Sequence, residues 1–379
     1  MMRTILGSST RMQTDMLWED KLKKAGVSIH VIATGAGAGL QQALWSVPGS
    51  SAYLSGASFP YAQEETEELL GFTPEHFCDE ATAVDLASAA YMKAYRWGGN
   101  KPVGVGVTAS VASEKEHRGD HRFFICVITD ERIWTKKVVL TKGVGARVRA
   151  NDGAMCDDAA LMMLLDATNT AVWPSEVSDY KDATELAHSR FFARPFFTAD
   201  GKRHAQVENP KDYALMPGSF NPPHEGHLGL ADSFRREHGK NVLFEIGTKP
   251  PHKAPPTVQE LLKRAKLLRG RDILFTTDIP MYLEKARAFP GMPMIVGADT
   301  LLRILDSKWG INPRDVIREL ITSYNTLFVS GRLIDGKFTT RDDIVNSLPA
   351  EVTKGFDMRV FQSLEGRWDV SSTELRNKK

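Results

Sequence analysis

The sequence predicts a two-domain α/β protein, and three observations carry that prediction. At 379 residues the chain is too long for one ordinary core. Apolar runs of strand length alternate with stretches of helical spacing in both halves. Between about Trp173 and Asp212 this periodicity fades into charged, proline-bearing sequence, so residues 1–175 and 212–379 are read as domains and 176–211 as their connection.

In the first half, Ser28 to Ile32 reads as a strand, followed by the glycine-rich Ala33 to Gly39 and a helical start over Leu40 to Trp45. Val47-Pro48-Gly49-Ser50-Ser51 is a turn leading into Ala52 to Phe59. Ala81 to Tyr95 is an alanine-rich helix, Val103 to Thr108 and Arg122 to Ile128 are strands, and Asp152 to Thr170 is a helix with a Met/Leu-rich face. The connection carries a short helix around Asp182 to Ser189.

The second half opens with a strand ending at Tyr213 to Met216, and a helix follows from near Gly226. Strands are expected at Asn241–Ile246, Ile273–Thr276, Pro293–Val296, Thr326–Val329 and Met358–Phe361, and helices at Val258–Leu268, Pro280–Phe289 and Asp315–Tyr324. This alternation calls for a parallel sheet with right-handed crossovers and a ligand beyond the carboxyl ends of the strands.

Composition narrows the function. With 48 basic and 47 acidic residues the net charge is +1, so no bulk field recruits nucleic acid or an acidic membrane. No run reaches the roughly 20 apolar residues of a membrane span, and the N-terminus lacks the apolar core of a signal peptide. The first residues hold Arg3 and Arg11 with several hydroxyls and no acid, a weak organellar signal set against a short frayed terminus. Cys78, Cys126 and Cys156 are widely spaced and odd in number, which favours reduced, buried thiols and a cytoplasmic setting.

Four short stretches in the second half carry chemistry. Gly218-Ser219-Phe220-Asn221-Pro222-Pro223-His224-Glu225-Gly226-His227 turns a strand into a helix, offering backbone N–H groups and a helix dipole to phosphate with histidines at the same end. Lys249-Pro250-Pro251-His252-Lys253 follows the next strand. Gly297-Ala298-Asp299 ends a strand with a carboxylate that can also cap the following helix. Ser371-Ser372-Thr373-Glu374-Leu375-Arg376 reads both as a helix cap and as a phosphate-binding helix start.

In order and spacing these stretches resemble the nicotinamide/nicotinate mononucleotide adenylyltransferases, nucleotidylyltransferases with a His-x-x-His signature, over about Asp212 to Lys379. The resemblance implies a Rossmann-like nucleotidylyltransferase domain with a parallel sheet. It implies that His224, His227, Lys253 and Arg376 serve catalysis, His227 stabilising the transition state, and that Gly218, Ser219, Phe220, Gly226, Gly297, Asp299, Ser372 and Thr373 line the nucleotide cleft. Trp309 falls where the family carries an aromatic residue that stacks on the pyridine ring; a core tryptophan is the alternative. ATP is the implied substrate, with Mg²⁺ bridging its phosphates, and a mononucleotide such as nicotinamide mononucleotide is the implied acceptor. Asp278-Ile279-Pro280-Met281-Tyr282-Leu283 departs from the Tyr-Thr segment found in bacterial members at the pyridine pocket.

Residues from about Leu17 to Val172 are similar to the C-terminal domain of the CinA family, which includes nicotinamide mononucleotide deamidases. The carriers are Ala33 to Gly39, Val47 to Tyr53, Tyr61-Ala62-Gln63-Glu64 and Val107-Thr108-Ala109-Ser110. The resemblance implies a CinA-like α/β layered domain. It puts Thr34 where that family has its presumed serine nucleophile and Ala33 at the glutamate just before it, so the expectation is an inactive or altered domain that binds a pyridine nucleotide, regulates or dimerises.

The leading expectation is therefore adenylyl transfer from ATP to a pyridine mononucleotide, with release of pyrophosphate. The alternatives are a nucleotidylyltransferase or ATPase acting on another phosphorylated acceptor, and a non-catalytic pyridine-nucleotide sensor. Neither nucleic acid nor membrane is an expected partner, and homo-oligomerisation is left open.

Overall fold

The computed structural model describes residues 18–98, 101–115, 118–171, 179–198, 200–250, 254–265, 272–309 and 312–366. The chain forms two compact units: Met1–Ala193 with Gly201–Arg203 and Val258–Lys266, and Arg194–Asp200 with His204–Thr257 and Leu267–Lys379.

The first unit runs from helix α1 (residues 18–25) through β1 (Ser28–Thr34), α2 (Ala38–Trp45), β2 (Leu54–Ser58), α3 (Gln63–Leu70) and α4 (Glu80–Gly98). It continues with β3 (Pro102–Ser110), β4 (Arg122–Ile128), β5 (Ile133–Val139), α5 (Ala146–Ala167), β6 (Lys181–Asp182) and α6 (Thr184–Ala193). The sheet order is β2-β1-β3-β4-β5-β6, with β1 parallel to both neighbours and the rest antiparallel. β1 is buried on both faces from Ser28 to Ala33, His30 included, whereas β5 alternates and is covered on one face.

The alanine-rich reading of α4 acquires a reason here. A Cβ at Gly104 or Gly106 of β3 would lie 2.2 Å from the Ala87 carbonyl or 2.3 Å from that of Ala83. Glycine on the strand and alanine on the helix let the two backbones approach closely. Asp85 of the same helix is buried and pairs with Arg190 of α6 and with Arg203.

The second unit contains β7 (Phe196–Thr198), β9 (Tyr213–Pro217), α7 (Glu225–His238), β10 (Asn241–Gly247), β11 (Ile273–Thr277), α9 (Tyr282–Ala288), β12 (Met294–Gly297) and α10 (Ala298–Ile304). It ends with α11 (Pro313–Thr322), β13 (Leu327–Ser330), the hairpin β14 (Arg332–Ile334) and β15 (Lys337–Thr339), α12 (Arg341–Ser347), α13 (Ala350–Thr353) and β16 (Phe361–Leu364). Strand β8 is Arg203–His204, and helix α8 (Val258–Ala265) connects β10 to β11 in the chain.

Its sheet order is β16-β13-β12-β9-β10-β11-β7-β8. The six strands from β16 to β11 are parallel, and β7 joins antiparallel at β11. Strand order reverses between β9 and β12, so the chain leaves these neighbours in opposite directions and opens a crevice beyond their carboxyl ends.

One expectation is corrected. The stretch Met358–Phe361 is not a strand: Met358–Val360 is a 3-10 turn begun by Asp357, whose carboxylate accepts the Arg359 N–H at 3.0 Å, and β16 starts at Phe361. The second sheet is parallel as expected, with β7 added antiparallel at its β11 edge, while in the first sheet β4, β5 and β6 pair antiparallel. The low-periodicity stretch carries β6, α6, β7 and β8. Strands of two or three residues are too short to show a hydrophobic period, so only their hydrogen bonds reveal them. Among the described residues no helix is long and apolar enough to cross a membrane.

Candidate functional site

The switch point of the second unit collects three loops. The first leaves β9 at Pro217 and enters α7 at Glu225. Gly218 donates its N–H to the Glu245 carbonyl at 2.9 Å, prolonging the β9–β10 ladder by one bond before the chain turns. Phe220 then adopts φ +44° and is buried, its ring edge-on to His227 at 4.9 Å and to Phe244 at 5.3 Å between centroids. A Cβ at Gly218 would meet the Phe220 ring at 2.7 Å, so glycine there lets the phenyl group fold back under the loop.

This aromatic support sets the histidines. His224 is the N-cap of α7 and His227 sits on its first turn. Their rings lie 3.7 Å apart between centroids at an interplanar angle of 30°. The His224 N–H points at Nδ1 of His227 across 3.3 Å. Burial, then the neighbouring His224 and Arg332, lowers the pKa of His227 to about 3. The ring is therefore neutral, and because Nδ1 accepts, its proton belongs on Nε2, which is left to donate. Glu225 stands in the first turn of α7, while Arg235, Arg236 and His238 occupy its last turn, in line with the helix dipole.

The second loop leaves β12 at Gly297. Asp299 lies in the first turn of α10, exposed, with Arg303 donating to Oδ2 at 3.1 Å. A Cβ at Gly297 would sit 2.5 Å from Oδ1 of Asp299 and 3.0 Å from Nε of Arg332. The third loop follows β13 and brings Arg332 to 4.0 Å from Asp299. Arg332 thus bears electrostatically on both His227 and Asp299. Sequence reading overlooked it, although it follows closely on a strand end just as Gly218 does.

Gly218, Ser219, Phe220, His224, Gly226 and His227 therefore lie on one loop and helix start, with Gly297 and Asp299 on the neighbouring one. Ser219 is exposed and Gly226 is buried at the helix start. Lys253, Ser372, Thr373 and Arg376 lie outside the described residues. Trp309 ends a 3-10 turn at Ser307–Trp309, and its side chain is likewise outside the description. Among the described residues no cluster of three or more His, Cys, Asp or Glu could cage a metal ion.

The first unit holds a cavity of about 330 Å³ onto which Thr34, Tyr61, Cys78, Thr108, Ser110 and Arg149 face. Arg149 donates to the Tyr61 hydroxyl at 3.0 Å and to the Ala112 carbonyl at 2.9 Å. No His, Asp or Glu is among the described residues lining it. The glycine-rich stretch does not present a free helix start either: Asp157 of α5 accepts the Leu40 N–H at 3.2 Å and also takes that of Gly39, and a Cβ at Gly39 would clash with its carboxylate. Cys126 and Cys156 are buried as expected, whereas Cys78 is only half-buried, on the cavity wall.

Comparison with known proteins separates the halves. Curated proteins described as "Probable nicotinate-nucleotide adenylyltransferase" match at 28% identity over 123 residues from Streptococcus pyogenes and at 24% over 188 residues from Chlorobium phaeobacteroides. The first alignment covers 28% of this chain and 59% of the relative, the second 44% and 85%. The chain thus spans less than two thirds of the streptococcal relatives it matches. Solved structures of CinA superfamily proteins from Klebsiella pneumoniae and Escherichia coli align with the N-terminal part at 14% and 13% identity, each with a TM-score of 0.34. They cover 42% and 44% of this chain, and 98% and 96% of their own. Over residues 215–378 the chain matches the family described as Cytidylyltransferase-like.

Proposed function

We propose that the protein transfers an adenylyl group from ATP to nicotinate or nicotinamide mononucleotide. The acceptor's phosphate oxygen attacks the α-phosphorus, the α–β bridging bond breaks, and pyrophosphate leaves with the electron pair. Such a reaction asks the protein mainly to position two polyanions and to stabilise spreading charge. The observation that carries the reading is the His224–His227 pair at the N-terminus of α7, on the switch point of a parallel sheet. The neutral His227 ring, with Nε2–H free to donate, stabilises oxygens on the α-phosphate as they gain charge. Arg332 adds positive potential from the β13 end, and Asp299 offers a carboxylate for the hydroxyls of the adenosine. Lys253, Ser372, Thr373 and Arg376 are assigned to the triphosphate. Mg²⁺ would be carried by the phosphate oxygens of ATP rather than by a protein cage, and would neutralise charge on the triphosphate.

A second reading keeps adenylyl transfer but changes the acceptor, and the segment Asp278 to Leu283 favours it because it departs from the pattern of bacterial relatives. For the first unit, the absence of a carboxylate or imidazole among the described cavity-lining residues supports a non-hydrolytic role, since a Thr34 nucleophile needs a base in reach. Incubating the protein with ATP, Mg²⁺ and a panel of mononucleotides while following pyrophosphate tests the proposal. Release that depends on a pyridine mononucleotide supports it; release only with another phosphorylated acceptor selects the second reading, and none at all refutes adenylyl transfer.

A further inference from the structure

Below the crevice, β10 and α9 share a buried ion pair. Glu245 and Lys285 are 1% and 3% exposed, and Nζ lies 2.7 Å from Oε1. Lys285 also donates to the Ile279 carbonyl and comes within 3.5 Å of the Thr277 hydroxyl, which itself donates to Glu245. An ammonium group has three protons, and these are its three acceptors. The Ile279 N–H reaches the same Thr277 hydroxyl at 3.4 Å, and Thr248 binds the Thr277 carbonyl through its N–H and its hydroxyl at 2.7 and 2.8 Å. The main chain of Glu245 meanwhile receives Gly218, the first residue of the histidine loop.

Glu245 therefore links the start of the loop that leaves β9 to the end of β11, and Thr248 links the loop that leaves β10 to the same strand end. Burying an ion pair adds little stability over an apolar pair of similar volume, whereas it holds its hydrogen-bond partners in a defined geometry. Those partners are the Thr277 hydroxyl and the Ile279 carbonyl, at the start of the connection into α9. The histidine loop and Asp299 flank the crevice between β9 and β12, so the β10 and β11 ends form the remaining wall on the β9 side.

We infer that Glu245 and Lys285 are positioning residues that hold the 277–281 loop as the wall against which the acceptor nucleotide is placed. The inference rests on the adenylyl-transfer reading. In the full-length protein, Lys285→Met strands Glu245 without its partner and should lower the thermal midpoint as well as weaken acceptor use. The double variant Glu245→Gln with Lys285→Met removes both charges and should recover most of the midpoint, yet leave the KM for the mononucleotide raised at least tenfold and that for ATP within about twofold. Thr277→Val keeps the ion pair and cuts only the hydroxyl link; it should raise the acceptor KM at least threefold with an unchanged midpoint. Wild-type acceptor KM in both the double variant and Thr277→Val overturns the inference. Amide exchange provides a readout free of turnover: residues 278–283 should lose protection in the double variant while 225–230 keep it, and unchanged exchange overturns the tether. A wild-type protein that protects 278–283 but releases no pyrophosphate with any mononucleotide refutes the adenylyl-transfer reading and the acceptor role together, leaving the tether standing.

Discussion

The backbone N–H of His224 points at Nδ1 of His227 across 3.3 Å, and this contact decides which nitrogen of the second ring faces the crevice with a proton. Replacing His227 with alanine removes that Nε2–H donor. Turnover should fall by about 10²–10³, the usual consequence of deleting one donor to a developing oxyanion, with the thermal midpoint little changed. Pyrophosphate release compared with thermal unfolding checks it, and near-normal turnover would take the residue out of the chemistry. Because its pKa is lowered to about 3, kcat/KM should show no inflexion from His227 between pH 5 and 8.

Gly218 gives a more indirect test of the same site. A methyl group there would press on the Phe220 ring at 2.7 Å, and Phe220 supports His227 edge-on. Gly218→Ala should reduce turnover about tenfold or more by tilting the imidazole. Steady-state kinetics beside a near-unchanged circular dichroism spectrum would separate this from unfolding.

His30 of β1 is 4% exposed, and both ring nitrogens lack a hydrogen-bond partner among the described residues. Burial, then nearby Lys93, lowers its pKa from 6.5 to about 4. Below pH 6.5 the unfolded chain takes up a proton that the folded one refuses, so stability falls as pH drops from 6.5 to 4 and this contribution levels off below. A His30→Phe variant should lose that component, worth about 3 kcal/mol. Urea unfolding of both proteins at pH 7 and pH 4.5 reads the difference.

Asp157 has the opposite sign. Burial raises its pKa to about 6 despite the Leu40 and Gly39 amides that favour the charged form. The folded state holds this proton more tightly, so its contribution to stability declines as pH rises from 4 to 6. Asp157→Asn keeps a carbonyl acceptor for Leu40 without the charge, and should gain on wild type as pH rises through that window. Thermal midpoints at pH 4.5 and 7.5 give the measurement, and a constant offset between the proteins would argue against it.

Asp85 is the common partner of Arg190 and Arg203 at the buried face of α4. Asp85→Ala leaves Arg203, itself 3% exposed, without its carboxylate. Stranding a buried charge costs about 3–5 kcal/mol, so a large drop in denaturant midpoint is expected.

The sequence by itself determined the alternation of strands and helices, since period and glycine placement report local burial. It marked the histidine loop because strand, turn and helix start are contiguous there, and it marked Asp299 by the same rule. It did not reveal β6, β7 or β8, whose two or three residues carry no period and exist through backbone pairing with distant strands. Nor did it reveal Arg332, Lys285, or the use of Asp157 against the glycine-rich helix start. Each acts on residues far away in the chain, and proximity of that kind is created only when the strands take their order and the sheet reverses between β9 and β12. Local chemistry was written residue by residue; which charges meet, and which histidine nitrogen is left to donate, was decided by packing.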